Sequence, residues 1–278
     1  MNLGRENNVM SAFAELKARQ AVVWGSAPWE RMAADAADIY EDLIARLGVT
    51  PGVTWLDLAT GTGAIALRAA ERGAVVTGQD LAPALIGTAR KLAAEKGLDV
   101  AFDVGDCEEL PYPDASFDVV SSAQGVVFAP DHRAVAGQLA RVCKPGGHLG
   151  FTAWRPGGSI AEQLGLLARF SPPPPPGAGS PLDWGRPGYV TGLLGDSFDL
   201  RFFEGMSPQR GSSPQALWDL FSTSVGPLKA TTESLGAERL AELKGDWMEF
   251  FGRYRTDDGA VAAPREYLIV VGTRKGDA

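Results

Sequence analysis

The chain has 278 residues, 45% of them hydrophobic, and a formal net charge of −8. That length suits one α/β domain with insertions, and the acidic balance argues against a nucleic-acid groove or an anionic membrane surface as partner. Cys107 and Cys143 are too few for a disulfide framework, no apolar run approaches ~18 residues, and the polar Met1–Met10 stretch has no signal-peptide core, so a cytoplasmic protein is expected.

Residues 9–20 have the composition of a short helix, and residues 21–29 break it, carrying Trp24 and Trp29. These tryptophans read either as core anchors of an N-terminal arm or as an aromatic lid over a ligand. From Pro28 a longer helix is expected to run to Leu47, with Ile39, Leu43, Ile44 and Leu47 on one face. Strand and helix then alternate. Strands are expected at Val53–Leu58, Ala74–Gln79, Asp99–Val104, Phe117–Ser122 and His148–Trp154. Between them lie helices at Ala64–Arg72, closed by Gly73, at Pro83–Lys96, opened by its proline, and after the Asp131 cap, where Val135, Leu139 and Val142 form a stripe. Such alternation predicts a parallel, doubly wound α/β sheet with right-handed crossovers.

After Trp154 the pattern changes. Ile160–Phe170 reads as a helix, and the five prolines Pro172–Pro176 as a stiff surface connector. A strand falls within Phe198–Arg210, helices over Pro214–Val225 and Leu235–Tyr254, and a final strand at Tyr267–Thr273. The helical pair between the last two strands predicts a cap over the ligand site and no separately folding domain. The expected division is an N-terminal helical arm or lid over 1–52 and a core over 53–278, whose segment 155–256 holds the cap insertions.

Chemistry concentrates at Val53–Gly63, a strand running into a glycine turn with a helix opening at Ala64. Gly61 and Gly63 let the backbone turn sharply and approach a ligand, and the N–H groups beyond them point out of a helix N-terminus. Alone the turn is ambiguous, since Gly61, Gly63 and Ala66 also satisfy a loose dinucleotide fingerprint. Three acids separate the readings. Asp57, near the end of its strand, is costly to bury unless bonded, so it should accept from turn donors, from a ligand ammonium, or from both. Asp80, ending the second strand, is placed to accept both hydroxyls of a ribose. A cap for the next helix is the alternative. After the third strand, Asp106 can accept from an adenine amine while the Cys107 N–H donates to a ring nitrogen. Glu108 and Glu109 are expected to be solvated, and Cys107 to be a packing residue without a nearby base.

The motifs Trp55-Leu56-Asp57-Leu58-Ala59-Thr60-Gly61-Thr62-Gly63, Asp80, Gly105–Val120 and Leu139–Gly147, in this order, resemble the class I S-adenosylmethionine-dependent methyltransferases. The closer likeness is to the bacterial small-molecule branch related to ubiquinone and menaquinone methyltransferases. The resemblance implies a mostly parallel seven-stranded Rossmann-like sheet and S-adenosyl-L-methionine as cofactor. It implies that Asp57 and the backbone of Ala59, Thr60, Gly61 and Gly63 hold the methionine part. By the same likeness Asp80 holds the ribose, Leu81 packs on the adenine, Asp106 and Cys107 hold the adenine, and Ala123 and Gln124 border the sulfonium. Gln124 stands where relatives often carry a large apolar residue, which puts an amide near the methyl acceptor.

A methyl group on sulfonium is already activated, so positioning supplies much of the rate. No general base stands out: His148 starts a strand at the far sheet end, and His132 follows a helix cap. Trp24, Trp29, Gln124 and Trp154 are the candidates for the acceptor pocket, and the aromatic content favours an apolar or aromatic small molecule. No metal, nucleic acid or membrane is expected as partner. Two rival functions share the sheet: a nicotinamide-dependent oxidoreductase, and a protein that binds the cofactor without methylating.

Overall fold

A computed structural model describes residues 3–276, so the outermost positions of the arm and the core lie outside the described residues. The chain opens with α1 (Leu3–Trp24), α2 (Glu30–Asp35) and α3 (Ala37–Leu47). The first helix runs through the expected break at residues 21–24 and stops before Gly25. The helix expected from Pro28 to Leu47 is in fact two. Arg265 Nη2 donates to the Asp35 carbonyl at 2.9 Å, and the Ile39 N–H turns back to the Ala36 carbonyl at 3.1 Å, which leaves the kink at Ala36. The apolar positions of α3 are buried as its spacing predicts.

There follow β1 (Thr54–Leu58), α4 (Ala64–Glu71), β2 (Val75–Asp80), α5 (Pro83–Lys96), β3 (Val100–Val104), β4 (Phe117–Ala123), α6 (His132–Val142) and β5 (Cys143–Trp154). The caps behave as their residue types require: Pro83 opens α5, left-handed Gly97 closes it, and Asp131 accepts from the Arg133 and Ala134 N–H groups. The strand expected from His148 begins at Cys143. Phe117 pairs with Cys143 and Val119 with His148, so the Lys144–Gly147 turn is absorbed as a register shift within the strand.

The remainder comprises α7 (Ser159–Ala168), α8 (Pro187–Leu194), β6 (Phe198–Gly211), α9 (Pro214–Ser224), α10 (Gly226–Ser234), α11 (Ala237–Gly252) and β7 (Val261–Arg274). Both α8 and α10 escape the sequence reading, and the cap carries three helices instead of two. The seven-stranded sheet has the order β3-β2-β1-β4-β5-β7-β6, with β7 antiparallel to both neighbours. Its β6–β7 ladder extends beyond β5, to Gly211 opposite Val261.

Strand alternation divides the core. Leu56 and Leu58 face one layer with Val120, Leu139, Phe151, Trp184 and Val270. Trp55 faces the other, with Leu43, Ile65, Ile86 and Ile269. A third cluster, with Leu217, Trp218, Phe221, Trp247, Phe250 and Phe251, lies in the cap and takes in Met32 from α2. Among the described residues no helix is long and apolar enough to cross a membrane.

Candidate cofactor and acceptor site

The glycine turn after β1 is built by its neighbours. Ala59 and Gly61 take left-handed backbone angles, φ 49° and 58°, as does Gly63 at 84°. Such angles are costly for alanine and free for glycine. A Cβ on Gly63 would also sit 3.2 Å from the Phe102 ring. The Thr60 N–H donates to the Gln79 carbonyl at 3.0 Å and the Gly63 N–H to the Thr60 carbonyl at 2.9 Å. Beneath the turn, Asp57 is 1% exposed. It accepts the Thr60 hydroxyl at 2.5 Å and the Ser121 hydroxyl at 2.7 Å, while Trp55 Nε1 donates to Ser121 at 2.8 Å. Burial raises its carboxyl to about 6, against the pull of those hydroxyls. Asp57 therefore braces the turn from below, each of its oxygens taking one hydroxyl.

Asp80 ties two loops together. One oxygen accepts the Gly61 N–H at 2.8 Å and the other the Ala82 N–H at 2.9 Å. Burial raises its pKa, and the backbone donors at Ala82 and Gly61 oppose that rise. Its carboxylate keeps acceptor capacity beyond these two bonds, since two oxygens offer about four sites. Leu81 follows at the start of the loop into α5. After β3, Asp106 Oδ1 accepts the Glu108 N–H at 2.9 Å, and its Oδ2 lies 2.6 Å from Lys17 Nζ. Glu108 is not solvated as expected. It is paired with Lys17 at 2.7 Å and accepts the Asp131 N–H at 2.7 Å, which bridges α1 to the start of α6. Glu109 is exposed. The Cys107 thiol is pushed well above its usual range by burial and the carboxylates around it, so it is a packing residue.

At the end of β4, Ala123 is half-buried and Gln124 takes φ 52°, a left-handed angle without glycine's freedom. The Gln124 N–H donates to Thr152, and its Nε2 is buried without a hydrogen-bond partner. Next to it, a Cβ on Gly125 would lie 2.5 Å from the Ala59 Cβ, so the loops after β1 and β4 touch here.

A methyltransferase domain family matches residues 56–147, the segment that carries these loops. An uncharacterised protein of Mycobacterium tuberculosis is 35% identical over 265 residues, covering 94% of this chain and 96% of that one. A demethylmenaquinone methyltransferase of Thermus thermophilus is 42% identical over 125 residues, 44% of this chain and 49% of that enzyme. Among solved structures, the YcgJ protein of Bacillus subtilis superposes with a TM-score of 0.59 at 18% identity, covering 86% of this chain and 98% of that one. The chain belongs to the class I S-adenosylmethionine-dependent methyltransferases.

In this methyltransferase an aromatic group adjoins the β4 loop. Trp24 lies 5.1 Å from Trp29 and 5.0 Å from Phe128, centroid to centroid, and Trp29 Nε1 donates to the Trp24 carbonyl at 2.9 Å. Trp154 ends β5 half-buried, against the same core layer as Ala123 and Tyr267. The other tryptophans are packing residues: Trp184 against Phe151 and His132, Trp218 and Trp247 within the cap. His148 is exposed at the start of the sheet. His132 is buried, its Nδ1 2.8 Å from the Tyr189 hydroxyl, and burial lowers its pKa. Sequence reasoning missed Lys17, Gln20, Phe128 and Ser121. None lies in a motif, and only the i, i+3, i+7 spacing of Lys17, Gln20 and Trp24 hinted that they share a face.

Proposed function

We propose that the chain transfers the methyl group of S-adenosyl-L-methionine to a small apolar or aromatic acceptor, mainly by holding the two in line. The observation that carries this reading is the convergence of three different loop ends. The strained turn after β1, the Asp80 carboxylate after β2 and the Asp106 carboxylate after β3 lie side by side in the sheet order, and the buried donor of Gln124 lacks an acceptor beside them. This donor set fits the cofactor. The turn from Ala59 to Gly63 would hold its methionine part, Asp80 the ribose hydroxyls with Leu81 against the base, and Asp106 with the Cys107 N–H the adenine. The bound cofactor supplies an electrophilic methyl on sulfonium.

The protein's own part is orientation and exclusion of water. Trp24, Trp29 and Phe128 supply an apolar wall beside the β4 loop, Trp154 a second one, and Gln124 Nε2 a single donor for an acceptor oxygen. His132, buried and tied to Tyr189, is not needed as a base in this scheme. The Thermus relative is named for a quinone acceptor, but it matches under half of this chain, so the acceptor's identity does not transfer with the name.

Calorimetry with S-adenosylmethionine, S-adenosylhomocysteine and NADH tests the cofactor. The first two should bind and NADH should not, and Asp80→Ala should weaken them by about 1.5–3 kcal/mol per lost bond at most. Tight NADH binding without S-adenosylmethionine binding would overturn the reading. Turnover against a panel of phenols, quinols and amines, read as S-adenosylhomocysteine formed, tests the acceptor class. Cofactor binding with no turnover on any acceptor would favour a non-methylating role.

A further inference from the structure

One face of α1 is spent on the loops that frame the cofactor site. Phe13, Lys17, Gln20 and Trp24 recur at the spacing of a single helical stripe. Between them they meet three loops. A Cβ on Gly177 would lie 3.9 Å from the Phe13 ring. Lys17 pairs with Asp106 and Glu108 after β3, at 2.6 and 2.7 Å. Gln20 Nε2 donates to the Phe128 carbonyl after β4 at 3.0 Å, and Trp24 packs on the Phe128 ring. Just beyond the helix, Gly25 abuts the loop after β2, where an added Cβ would lie 3.1 Å from Ala84 and 3.7 Å from Ala82. The helix thus spans the carboxyl ends of three strands. Asp80 and Ala82, beneath this span, are 8% and 0% exposed.

We propose that α1 is a latch on the cofactor cleft, that Lys17 holds it shut, and that cofactor exchange requires the helix to lift. The inference rests on the cofactor reading above. Beside its apolar Trp24 contact, the seam is centred on an ion cluster that water reaches from one side: the side chains of Lys17 and Asp106 are 21% and 25% exposed, that of Glu108 8%. Such a contact opens at modest cost. It also tolerates a filled site. Asp106 uses one acceptor site per oxygen on Lys17 and the Glu108 N–H, which leaves capacity for an adenine amine. Lys17 is therefore a positioning residue that acts through Asp106 and Glu108. Burial draws the pKa of its ammonium down, and the two carboxylates more than restore it, so it stays charged through the working pH range.

The test uses the full chain and its own tryptophans as fluorescent probes of S-adenosylhomocysteine binding in stopped flow. Lys17→Met should speed both association and dissociation about tenfold, while the equilibrium constant moves by less than about threefold. Raising NaCl from about 0.05 to about 0.5 M should speed dissociation from the wild type and not from Lys17→Met. Lys17→Arg should restore the slow rates, and Arg19→Met, the same charge change at an exposed position of the same helix, should match the wild type. Wild-type dissociation from Lys17→Met, or weaker binding through slower association alone, would overturn the latch. Hydrogen exchange over residues 13–24 of the unliganded chain reads the latch independently. Exchange should be faster in Lys17→Met than in the wild type or Arg19→Met, and equal exchange overturns the proposal. A wild type that binds no S-adenosylhomocysteine would count against the proposed function, and the exchange data would still decide whether Lys17 holds the helix.

Discussion

At the β3-β2-β1-β4 side of the sheet, strands of five to seven residues run parallel, and each ends in a loop that carries a polar group. At the β7-β6 side, two 14-residue strands pair without interruption and carry an apolar helical insertion. The contrast follows from topology. Parallel strands bring residues far apart in sequence, such as Asp57, Asp80 and Asp106, to one edge of the sheet, where ligands of open α/β folds bind. An antiparallel pair brings its own two ends together and needs no ligand to justify the junction. The parallel side therefore stores strain and buried carboxylates, and the antiparallel side stores packing around the buried Arg265.

Four substitutions break or sharpen this division. The largest effect is expected in the cap. Phe251 is 0% exposed among Trp247, Phe221 and Phe250, and Phe251→Ala should cost about 3–5 kcal/mol in urea unfolding. Its affinity for S-adenosylhomocysteine should stay within about twofold below the transition. An equal loss of affinity would erase the distinction between the two sides.

Asp57 comes next, through pH. Its carboxyl is raised by burial to about 6, so the folded state holds the proton more tightly than the unfolded one. The sign follows: stability from this group is greatest when it is protonated, falls as pH climbs from about 4 to about 6, and is flat above. The ceiling is roughly 3 kcal/mol for a shift of about two pH units. The stability difference between the wild type and Asp57→Asn, measured from pH 4 to 8, should shrink across that window, and a difference independent of pH refutes the assignment.

Gly125→Ala places a Cβ against the Ala59 side chain and 2.8 Å from its carbonyl. It should cost about 1–3 kcal/mol and weaken S-adenosylhomocysteine binding more than that loss of stability accounts for, because it parts the two loops. The smallest effect belongs to Asp118, at the other end of β4. Hydrogen bonds from Lys144 and then Thr54 hold its carboxyl at about 2. Its contribution is present above about pH 4 and disappears as pH falls towards 2, the reverse of Asp57. With a side chain 41% exposed, Asp118→Asn should cost no more than about 0.5 kcal/mol at neutral pH and leave cofactor affinity unchanged.

The parallel side was largely legible in the sequence because its signals are local. Pro83, Gly97 and Asp131 cap helices in place, and the glycine turn and its acids sit within a few residues of the strands that present them. What escaped depends on partners distant in sequence. Arg265 splits a helix some 230 residues earlier by taking the Asp35 carbonyl. Glu108 looks like a surface acid until Lys17 crosses 91 residues to meet it. The part of Asp57 as a brace shows only once Ser121, 64 residues on, is seen to donate to its second oxygen. In the cap, α10 has weak apolar periodicity of its own and is fixed by neighbours, with Gly226 against the backbone of Val23 and Trp24.

The insertion in the β6–β7 hairpin leaves the sheet at Gly211 and returns at Val261, and those residues are register partners. Its ends are therefore already held together by the ladder, whatever lies between them. Lengthening or exchanging a loop whose ends are fixed by other contacts adds only slowly to its entropic cost. In evolutionary terms the insertion is a socketed part: sequence between 212 and 260 can diversify without renegotiating the strands on which it is mounted. Chimeras that graft foreign helical segments between Gly211 and Val261 are the natural way to exploit that junction.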